Sequence, residues 1–208
     1  MSHTLHLEAI RIGLGGRTLV ALDAEIGPGQ VLTVMGPSGS GKSTLLAYLA
    51  GFLDPAFQAD GRVRLDDVDI AALPAEARQI GLLFQDALLF PHLSVAGNLL
   101  FGLPRGGARR QQRATEALAQ VGLAGFEDRD PATLSGGQQA RVALLRLLLS
   151  APRAVLLDEP FAKLDSPLRG EMRTLVFECL RTAGLPAVLV THDAADAEAA
   201  GGRVVQLA

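Results

Sequence analysis

A glycine-rich segment between an apolar strand and an apolar helix constrains the fold of this chain more than any other feature. Residues 36–43 read Gly-Pro-Ser-Gly-Ser-Gly-Lys-Ser and match G-x-x-x-x-G-K-[ST], the pattern of a phosphate-binding loop. Residues 30–35 predict a strand before the loop, and residues 42–53 predict a helix after it. This order matters because the loop turns backbone N–H groups inward and the helix directs its positive end at the phosphates. An ordinary glycine-rich turn is the alternative, and the flanking elements disfavour it.

Lys42 and Ser43 supply the charge and the metal ligand that such a loop needs. The Lys42 ammonium is predicted to reach the β- and γ-phosphates of a nucleotide, and the Ser43 hydroxyl is predicted to ligate Mg²⁺. Among the 19 basic residues only Lys42 and Lys163 are lysines, so a lysine at the required position is conspicuous. The residues predicted to bind the nucleotide here are Gly36, Pro37, Ser38, Gly39, Ser40, Gly41, Lys42, Ser43 and Thr44.

An apolar segment that ends in two carboxylates predicts the second half of the site. Residues 154–157 are Ala-Val-Leu-Leu, which is typical of a strand buried on both faces, and Asp158 and Glu159 follow. Asp158 is predicted to hold Mg²⁺ through water, and Glu159 is predicted to polarise the attacking water as a general base. Such a segment is common by itself. Together with the loop at 36–43 it indicates nucleotide hydrolysis.

A second helix start, at 134–138, predicts another anion-binding site. The sequence Leu-Ser-Gly-Gly-Gln precedes an amphipathic helix, so two glycines and the Ser135 hydroxyl lie at a helix N-terminus. An ordinary N-cap is the alternative interpretation of Ser135. Because a domain with one nucleotide does not need two such helix ends, the second site is predicted to serve another copy of the chain.

The composition excludes several other classes of protein. The chain has 208 residues and a mass of 21.8 kDa, is 49% hydrophobic and 20% charged, and carries a net charge of −3, which suits one compact domain. No block of Lys and Arg is present to bind a nucleic acid. The longest apolar stretch, 45–53, is too short to span a membrane, and no signal-peptide pattern is visible. The single cysteine, Cys179, allows no intrachain disulfide. The expectation is a soluble, cytoplasmic protein.

The distribution of strand and helix patterns predicts two structural parts. Strand–helix–strand patterns at both ends of the chain predict a parallel sheet with crossover helices, forming a core over 1–86 and 153–208. Between them helical apolar spacing predicts an inserted subdomain over 87–152. The predicted strands are 5–10, 18–26, 30–35, 62–65, 80–84, 154–157 and 187–190. The predicted helices are 42–53, 95–101, 114–121, 138–149 and 167–181.

These motifs together resemble the ATP-binding cassette (ABC) ATPases, and the likeness covers essentially the whole chain. The motifs that follow the family's order are the loop at 36–43, Gln85 after a strand, residues 134–138, Asp158-Glu159, Leu164-Asp165 and His192. The resemblance implies an α/β fold: a P-loop NTPase (RecA-like) core with an antiparallel β subdomain and an inserted α-helical subdomain. It also implies that ATP and Mg²⁺ are bound and that ATP is hydrolysed.

The same resemblance implies roles for several further residues. Gln85 would contact Mg²⁺ or the attacking water and sense a membrane subunit. Asp165 would bridge two copies of the chain, and His192 would hydrogen-bond the γ-phosphate, completing a catalytic set of Glu159, His192 and Gln85. The residues that would hold the γ-phosphate of ATP bound to a partner copy are Ser135, Gly136, Gly137 and Gln138.

The resemblance further implies the partners and the location of the chain. In this family two copies sandwich two ATP molecules head to tail, and closure of the sandwich moves separate membrane permease subunits. The chain would then lie at the cytoplasmic face of the cell membrane as a peripheral subunit. Residues 85–95 resemble importers of thiamine, sulfate, polyamines or iron, which work with a solute-binding protein. In that interpretation the apolar patch of Leu88, Leu89 and Phe90 receives a permease helix. Ordinary packing and an exporter are the alternatives.

Other functions fit the sequence less well. A soluble ABC protein acting as an assembly scaffold stays open as an alternative, although the importer-like segment 85–95 disfavours it. DNA-repair members carry long coiled coils or zinc sites, and ribosome-acting members carry two cassettes, neither of which this sequence contains. A small-molecule kinase with a phosphate loop would lack the element at 134–138.

One departure from the family concerns adenine. Members usually carry an aromatic residue upstream of the phosphate loop, stacked on the base. Here the corresponding residues 11–15 are Arg-Ile-Gly-Leu-Gly, with no aromatic side chain. Leu14 is expected to pack against the base instead. Because base–aromatic stacking contributes roughly 1–3 kcal/mol, we expect reduced nucleotide affinity and weak discrimination of ATP from GTP.

Overall fold

Two β-sheets and a set of helices make up the protein, and the α/β class predicted from the sequence is confirmed. The computed structural model describes residues 2–106 and 109–207. The strands are β1 Leu5–Leu14, β2 Arg17–Ile26, β3 Val31–Met35, β4 Gln58–Leu65, β5 Val68–Asp69, β6 Ile80–Leu83, β7 Ala154–Asp158, β8 Ala187–Val190 and β9 Val204–Gln206. The helices are α1 Lys42–Ala50, α2 Val95–Gly102, α3 Arg110–Gln120, α4 Gly136–Leu149, α5 Ser166–Ala183 and α6 Ala194–Ala200.

The first sheet is antiparallel, in the order β2-β1-β4-β5. Buried and exposed residues alternate along β2, as expected for a sheet with one face on the core. A two-residue turn joins β1 to β2, and its glycines, Gly15 and Gly16, have φ angles of 57° and 81°. Glycine suits this turn because left-handed backbone is nearly free of steric strain without a Cβ atom.

The second sheet has the order β6-β7-β8-β3-β9, and its central strands are parallel. Strands β7 and β8 are apolar and almost wholly buried, which is typical of a parallel sheet covered on both faces. Val34 of β3 and Asp158 of β7 both pair with Val190 of β8. The carboxyl ends of these three strands therefore lie at the same edge.

Helix α1 ends earlier than the predicted residue 53, and a buried arginine explains where it stops. Gly51 adopts a left-handed conformation, with φ 91°, directly after Ala50. The Arg78 guanidinium donates hydrogen bonds to the carbonyl oxygens of Tyr48 (2.7 Å) and Leu49 (2.9 Å). A positive side chain at the last carbonyls satisfies them and complements the negative end of the helix. Burial lowers the pKa of Arg78, although nearby Tyr48 acts in the opposite direction.

The chain divides into two compact units. The first comprises Met1–Leu82, Arg153–Glu159 and Arg173–Ala208, and contains both sheets almost entirely. The second comprises Leu83–Pro152 and Pro160–Met172, in which α2 packs against α3 and α4. The helical subdomain proposed at 87–152 falls inside the second unit. Among the described residues, no helix is long and apolar enough to cross a membrane.

Candidate active site

The carboxyl edge of the parallel sheet carries the predicted catalytic groups of the first unit. The loop at 36–41 follows β3, Glu159 follows β7, and His192 comes two residues after β8. Ligands of open α/β sheets generally bind outside the carboxyl ends of the strands. The phosphate loop, the two carboxylates and the histidine therefore lie at the same edge of the sheet.

Three glycines of the phosphate loop are required by its geometry. Gly39 and Gly41 have φ angles of 82° and 92°, which residues with a Cβ atom adopt only under strain. A Cβ atom on Gly41 would lie 2.9 Å from Cγ2 of Val20, and one on Gly36 would lie 2.6 Å from the Ser40 hydroxyl oxygen. The loop can thus keep this path only with glycine at these positions.

Lys42 lies under the loop and is bonded to it. Its ammonium donates hydrogen bonds to the carbonyl oxygens of Gly36 (2.8 Å) and Pro37 (2.9 Å). The residue is 8% exposed, although it carries a positive charge. An ammonium group has three donors, so these two bonds leave a further N–H for an anion at the loop. The first turn of α1 and Lys42 therefore provide a concentration of positive charge.

The start of α1 presents further hydrogen-bond donors. Within the part of the chain that the structure describes, no side chain caps this helix, whose N-cap is Gly41. The first N–H groups of a helix have no partner inside the helix and require one elsewhere. In addition, the buried Ser40 hydroxyl has no hydrogen-bond partner among the described residues. The loop and helix start are suited to bind an anionic group such as a phosphate.

Asp158 and Glu159 form a pair of adjacent carboxylates at the end of β7. Burial raises the pKa of the Asp158 carboxyl above its usual value, and the neighbouring Glu159 charge raises it further. Lys42 acts in the opposite direction on the same carboxyl. Because two negative groups lie together at a partly buried edge, a cation bound there would relieve their repulsion.

These oxygen donors fit Mg²⁺. A carboxylate and the exposed hydroxyl of Ser43 are hard ligands of the type that Mg²⁺ prefers. Mg²⁺ is usually held by one or two protein ligands together with water and substrate phosphates, a role that Asp158 and Ser43 could fill.

Glu159 has an unusual backbone conformation that the sequence did not reveal. Its φ angle is 43°, in the left-handed region, which costs a non-glycine residue about 1–2 kcal/mol. Its N–H donates to the carbonyl oxygen of Val190 at 2.9 Å, which fixes the peptide at the sheet edge. Its Oε1 lies 3.1 Å from Nδ1 of His192.

His192 itself is mostly exposed, whereas Thr191 and Asp196 near it are buried. Its side chain is 65% exposed, and that of Glu159 is 26% exposed. Behind it, Thr191 and Asp196 are buried and hydrogen-bonded to each other, and Asp196 is paired with Arg173. No sequence motif predicts a role for these three residues, because nothing in the local sequence connects Arg173 in α5 with Asp196 in α6.

The remaining predicted site residues belong to the second unit. Ser135 and Gln138 form a capping box at the start of α4: the Ser135 Oγ accepts from the Gln138 N–H at 3.4 Å, and the Gln138 Oε1 accepts from the Ser135 N–H at 3.0 Å. Gly137 is buried, and a Cβ atom there would lie 2.4 Å from Cδ2 of Leu168. Gly136 is exposed beside it.

Gln85 and Asp165 are exposed residues of the second unit as well. Asp165 accepts a hydrogen bond from the Leu168 N–H at 3.2 Å near the start of α5. Asp86, next to Gln85, forms an ion pair with Lys163, two residues before Asp165. The structure thus brings together 36–44, Asp158, Glu159 and His192 in one unit. Gln85, 135–138 and Asp165 lie in the other.

Comparisons with known proteins show the family and the relatives to which the chain is similar. A profile of the ABC transporter family matches residues 19–162. The chain is 50% identical over 186 residues to the ABC transporter ATP-binding protein YnjD of Escherichia coli, covering 88% of this chain and 85% of that protein. It is 48% identical over 206 residues to the thiamine import ATP-binding protein ThiQ of a Jannaschia species, covering 98% and 88%.

A more distant relative is longer than this chain. The Fe(3+) ions import ATP-binding protein FbpC 1 of Rhizobium meliloti is 44% identical over 187 residues. The match covers 88% of this chain and 52% of that protein.

Proposed function

This chain belongs to the ABC transporter family and is an ATP-hydrolysing subunit of that type, and from this membership we propose that it drives solute import through separate membrane permease subunits. The observation that carries the proposal is the convergence of the phosphate loop, Asp158, Glu159 and His192 at one edge of the parallel sheet.

Each group at this edge has a role in hydrolysis. The loop N–H groups and Lys42 hold the β- and γ-phosphates, and Ser43 and Asp158 hold Mg²⁺, which when bound neutralises charge on the phosphate oxygens. Glu159 accepts a proton from the water that attacks the γ-phosphorus, while the bond from this phosphorus to the ADP oxygen breaks. His192 donates a hydrogen bond to the γ-phosphate. Its contact with the Glu159 carboxylate supports this assignment, because both groups must face the same phosphate.

A second copy of the chain completes the site. We propose that 135–138 of one copy bind the γ-phosphate of ATP held by the other, with Asp165 bridging the copies and Gln85 reaching Mg²⁺ or the water. Ser135 and Gly136 are exposed and lie at the positive end of α4, which supports this role. ATP stabilises the closed dimer because its γ-phosphate contacts both copies, whereas ADP lacks that group.

An apolar patch on the second unit supports a permease partner. Leu88 and Phe101 are 56% and 67% exposed, and the ring of Phe101 packs 4.5 Å from that of Phe90. The Arg146 guanidinium lies 5.1 Å from the centre of the Phe90 ring and donates a hydrogen bond to the Leu88 carbonyl oxygen at 2.8 Å. The patch is therefore apolar, exposed and held in a fixed shape, as a docking surface for a helix should be.

Relatives whose names refer to import support uptake as the direction of transport. Proteins named for thiamine and Fe(3+) import are 48% and 44% identical to this chain. We propose uptake at the cytoplasmic face of the membrane, with a separate solute-binding protein and permease choosing the solute. No residue of the site described above contacts a solute in this scheme, so the ATPase chain does not determine which one is carried.

Co-purification tests the transporter role. A tagged chain isolated from detergent-solubilised membranes of its own cells is expected to bring a permease with it. Leu88→Asp should lose this partner, because a charge would lie in the apolar patch. Val68→Asp is the matched control, since Val68 is 49% exposed but lies in the first unit. Recovery of soluble partners alone would contradict the proposal and favour an assembly scaffold.

A further inference from the structure

A hydrogen-bonded network directly behind His192 involves residues that the roles above do not use. The network joins Arg173 of α5, Thr191 after β8, and Asp196 of α6, all in the first unit. None of these residues belongs to a motif from which the function was inferred. Their connections to the loop 191–193 suggest what they do.

The Asp196 carboxylate is the centre of this network. Its Oδ1 accepts a hydrogen bond from Nε of Arg173 at 2.5 Å, and its Oδ2 accepts one from the Thr191 hydroxyl at 2.7 Å. Arg173 also donates to Oδ2 of Asp193 at 2.7 Å. One guanidinium thus holds two carboxylates in a fixed relation, which its planar geometry favours.

The network forms hydrogen bonds with the residues on both sides of His192, Thr191 and Asp193. The Thr191 hydroxyl, which donates to Asp196, also accepts a hydrogen bond from the Asp193 N–H at 3.0 Å. Asp193 in turn caps α6 by accepting from the Ala195 N–H at 2.8 Å. The backbone at 191 and 193 is therefore fixed, while the imidazole between them projects toward Glu159 and solvent.

Burial makes this arrangement rigid. Thr191 and Asp196 are 1% and 3% exposed, and the Arg173 side chain is 16% exposed. At this depth an ion pair is only weakly screened by water and salt, and each group strongly requires its partner. A loop that is free to move would not need this hydrogen-bond network. The network is needed if the His192 imidazole must be held at one position.

We propose that Asp196, acting through Thr191 and Arg173, is a positioning residue that holds the His192 loop for contact with the γ-phosphate. The inference rests on the role proposed above for His192. The Asp196 carboxylate takes no part in proton transfer and does not touch the nucleotide. It fixes the loop backbone, so that the imidazole is placed before ATP arrives.

Thr191→Val tests this because valine keeps the shape of threonine and leaves the Arg173–Asp196 pair in place, while it removes the hydroxyl that bonds Asp196 and the Asp193 N–H. The full chain carrying Thr191→Val is expected to hydrolyse ATP with kcat lowered about tenfold and KM for ATP nearly unchanged, since positioning partners of a reacting group typically contribute that much. Thr191→Ser keeps the hydroxyl and should restore kcat. Thermal unfolding of each variant checks that folding is preserved.

The His192→Ala background separates positioning from a general structural effect. If Thr191 acts through His192, Thr191→Val should lower kcat no further once the imidazole is gone. An equal loss in both backgrounds would overturn the inference. So would an unchanged kcat for Thr191→Val when His192→Ala alone is slow. If His192→Ala itself leaves kcat unchanged, the proposed role of His192 fails, and the inference fails with it.

Discussion

Helices α1 and α4 both begin in glycine-rich motifs that are predicted to bind phosphate, yet their N-terminal N–H groups are treated differently. At α1 the N-cap is Gly41, and no side chain among the described residues accepts from the first turn. At α4 the Ser135 side chain accepts a hydrogen bond from the Gln138 N–H, and the Gln138 side chain accepts one from the Ser135 N–H. The first helix start is thus open to an external anion, whereas the second is already capped by its own residues.

This difference fits two kinds of phosphate binding: α1 would hold the nucleotide of its own chain, and α4 would contact the nucleotide of a partner copy only when the two copies meet. The α1 site has a buried lysine and a buried, unsatisfied hydroxyl at Ser40. It is suited to hold a nucleotide for most of the reaction cycle. The start of α4 is capped by its own side chains, so in the dimer proposed above the helix would not fray while the two copies are apart. A phosphate from the partner copy would then add to N–H groups that the cap leaves open.

The largest expected effect is on the general base. Glu159→Gln should lower kcat for ATP hydrolysis about a thousandfold, because an amide cannot accept the proton from the attacking water. ATP binding should be retained, since the phosphate loop is unchanged. Light scattering should then detect an ATP-dependent dimer. A Glu159→Gln protein that hydrolyses ATP at the normal rate would exclude Glu159 as the base.

Lys42→Ala should weaken ATP binding about a hundredfold, because the variant removes a charge-assisted hydrogen bond to phosphate. Calorimetric titration with ATP measures this. Lys163→Ala is the matched control, since Lys163 is the only other lysine in the sequence and its side chain is 53% exposed. Equal affinities for the two variants would show that the α1 site does not depend on its lysine.

Ser135→Ala tests whether the α4 site serves the partner. The affinity of the monomeric chain for ATP should stay unchanged, because α4 is not predicted to bind the chain's own nucleotide. In the Glu159→Gln background the ATP-driven dimer should weaken about tenfold, from the loss of one hydrogen bond to a charged phosphate. A loss of monomer affinity would remove the distinction drawn between the two helix starts.

The smallest expected effect concerns adenine. Leu14 is 44% exposed beside the β1–β2 turn, and Leu14→Tyr would add the aromatic side chain that the family usually has. ATP affinity should rise by roughly 1 kcal/mol, about fivefold, with a stronger preference for ATP over GTP. Val68→Tyr, at another exposed strand position, should change neither. If Leu14→Tyr leaves both unchanged, Leu14 does not lie against the base.

Local sequence patterns predicted the parts of the fold that local physics determines. The apolar strands β7 and β8 were predicted to within a residue, because burial on both faces requires an unbroken apolar segment. The phosphate loop was predicted as well, since its glycines are required by backbone geometry. The exposed strand β9 and the alanine-rich α6 were missed, because neither has a distinctive apolar period.

Features that depend on contacts between distant residues could not be predicted. The end of α1 at Ala50 depends on Arg78, which lies far along the chain. The network behind His192 depends on Arg173 meeting Asp196 through the fold. In both cases the sequence contains the charged residues but does not show which residues they contact. Only tertiary structure pairs them.

The left-handed backbone of Glu159 lowers the stability of the folded protein at the same residue whose side chain is proposed to act as the general base. Glycine would adopt φ 43° with little strain, so Glu159→Gly is expected to raise the melting temperature while abolishing hydrolysis. Selection for thermal stability alone would therefore tend to eliminate the residue that transport needs. Stability at this position would favour glycine, whereas the proposed hydrolysis requires the glutamate.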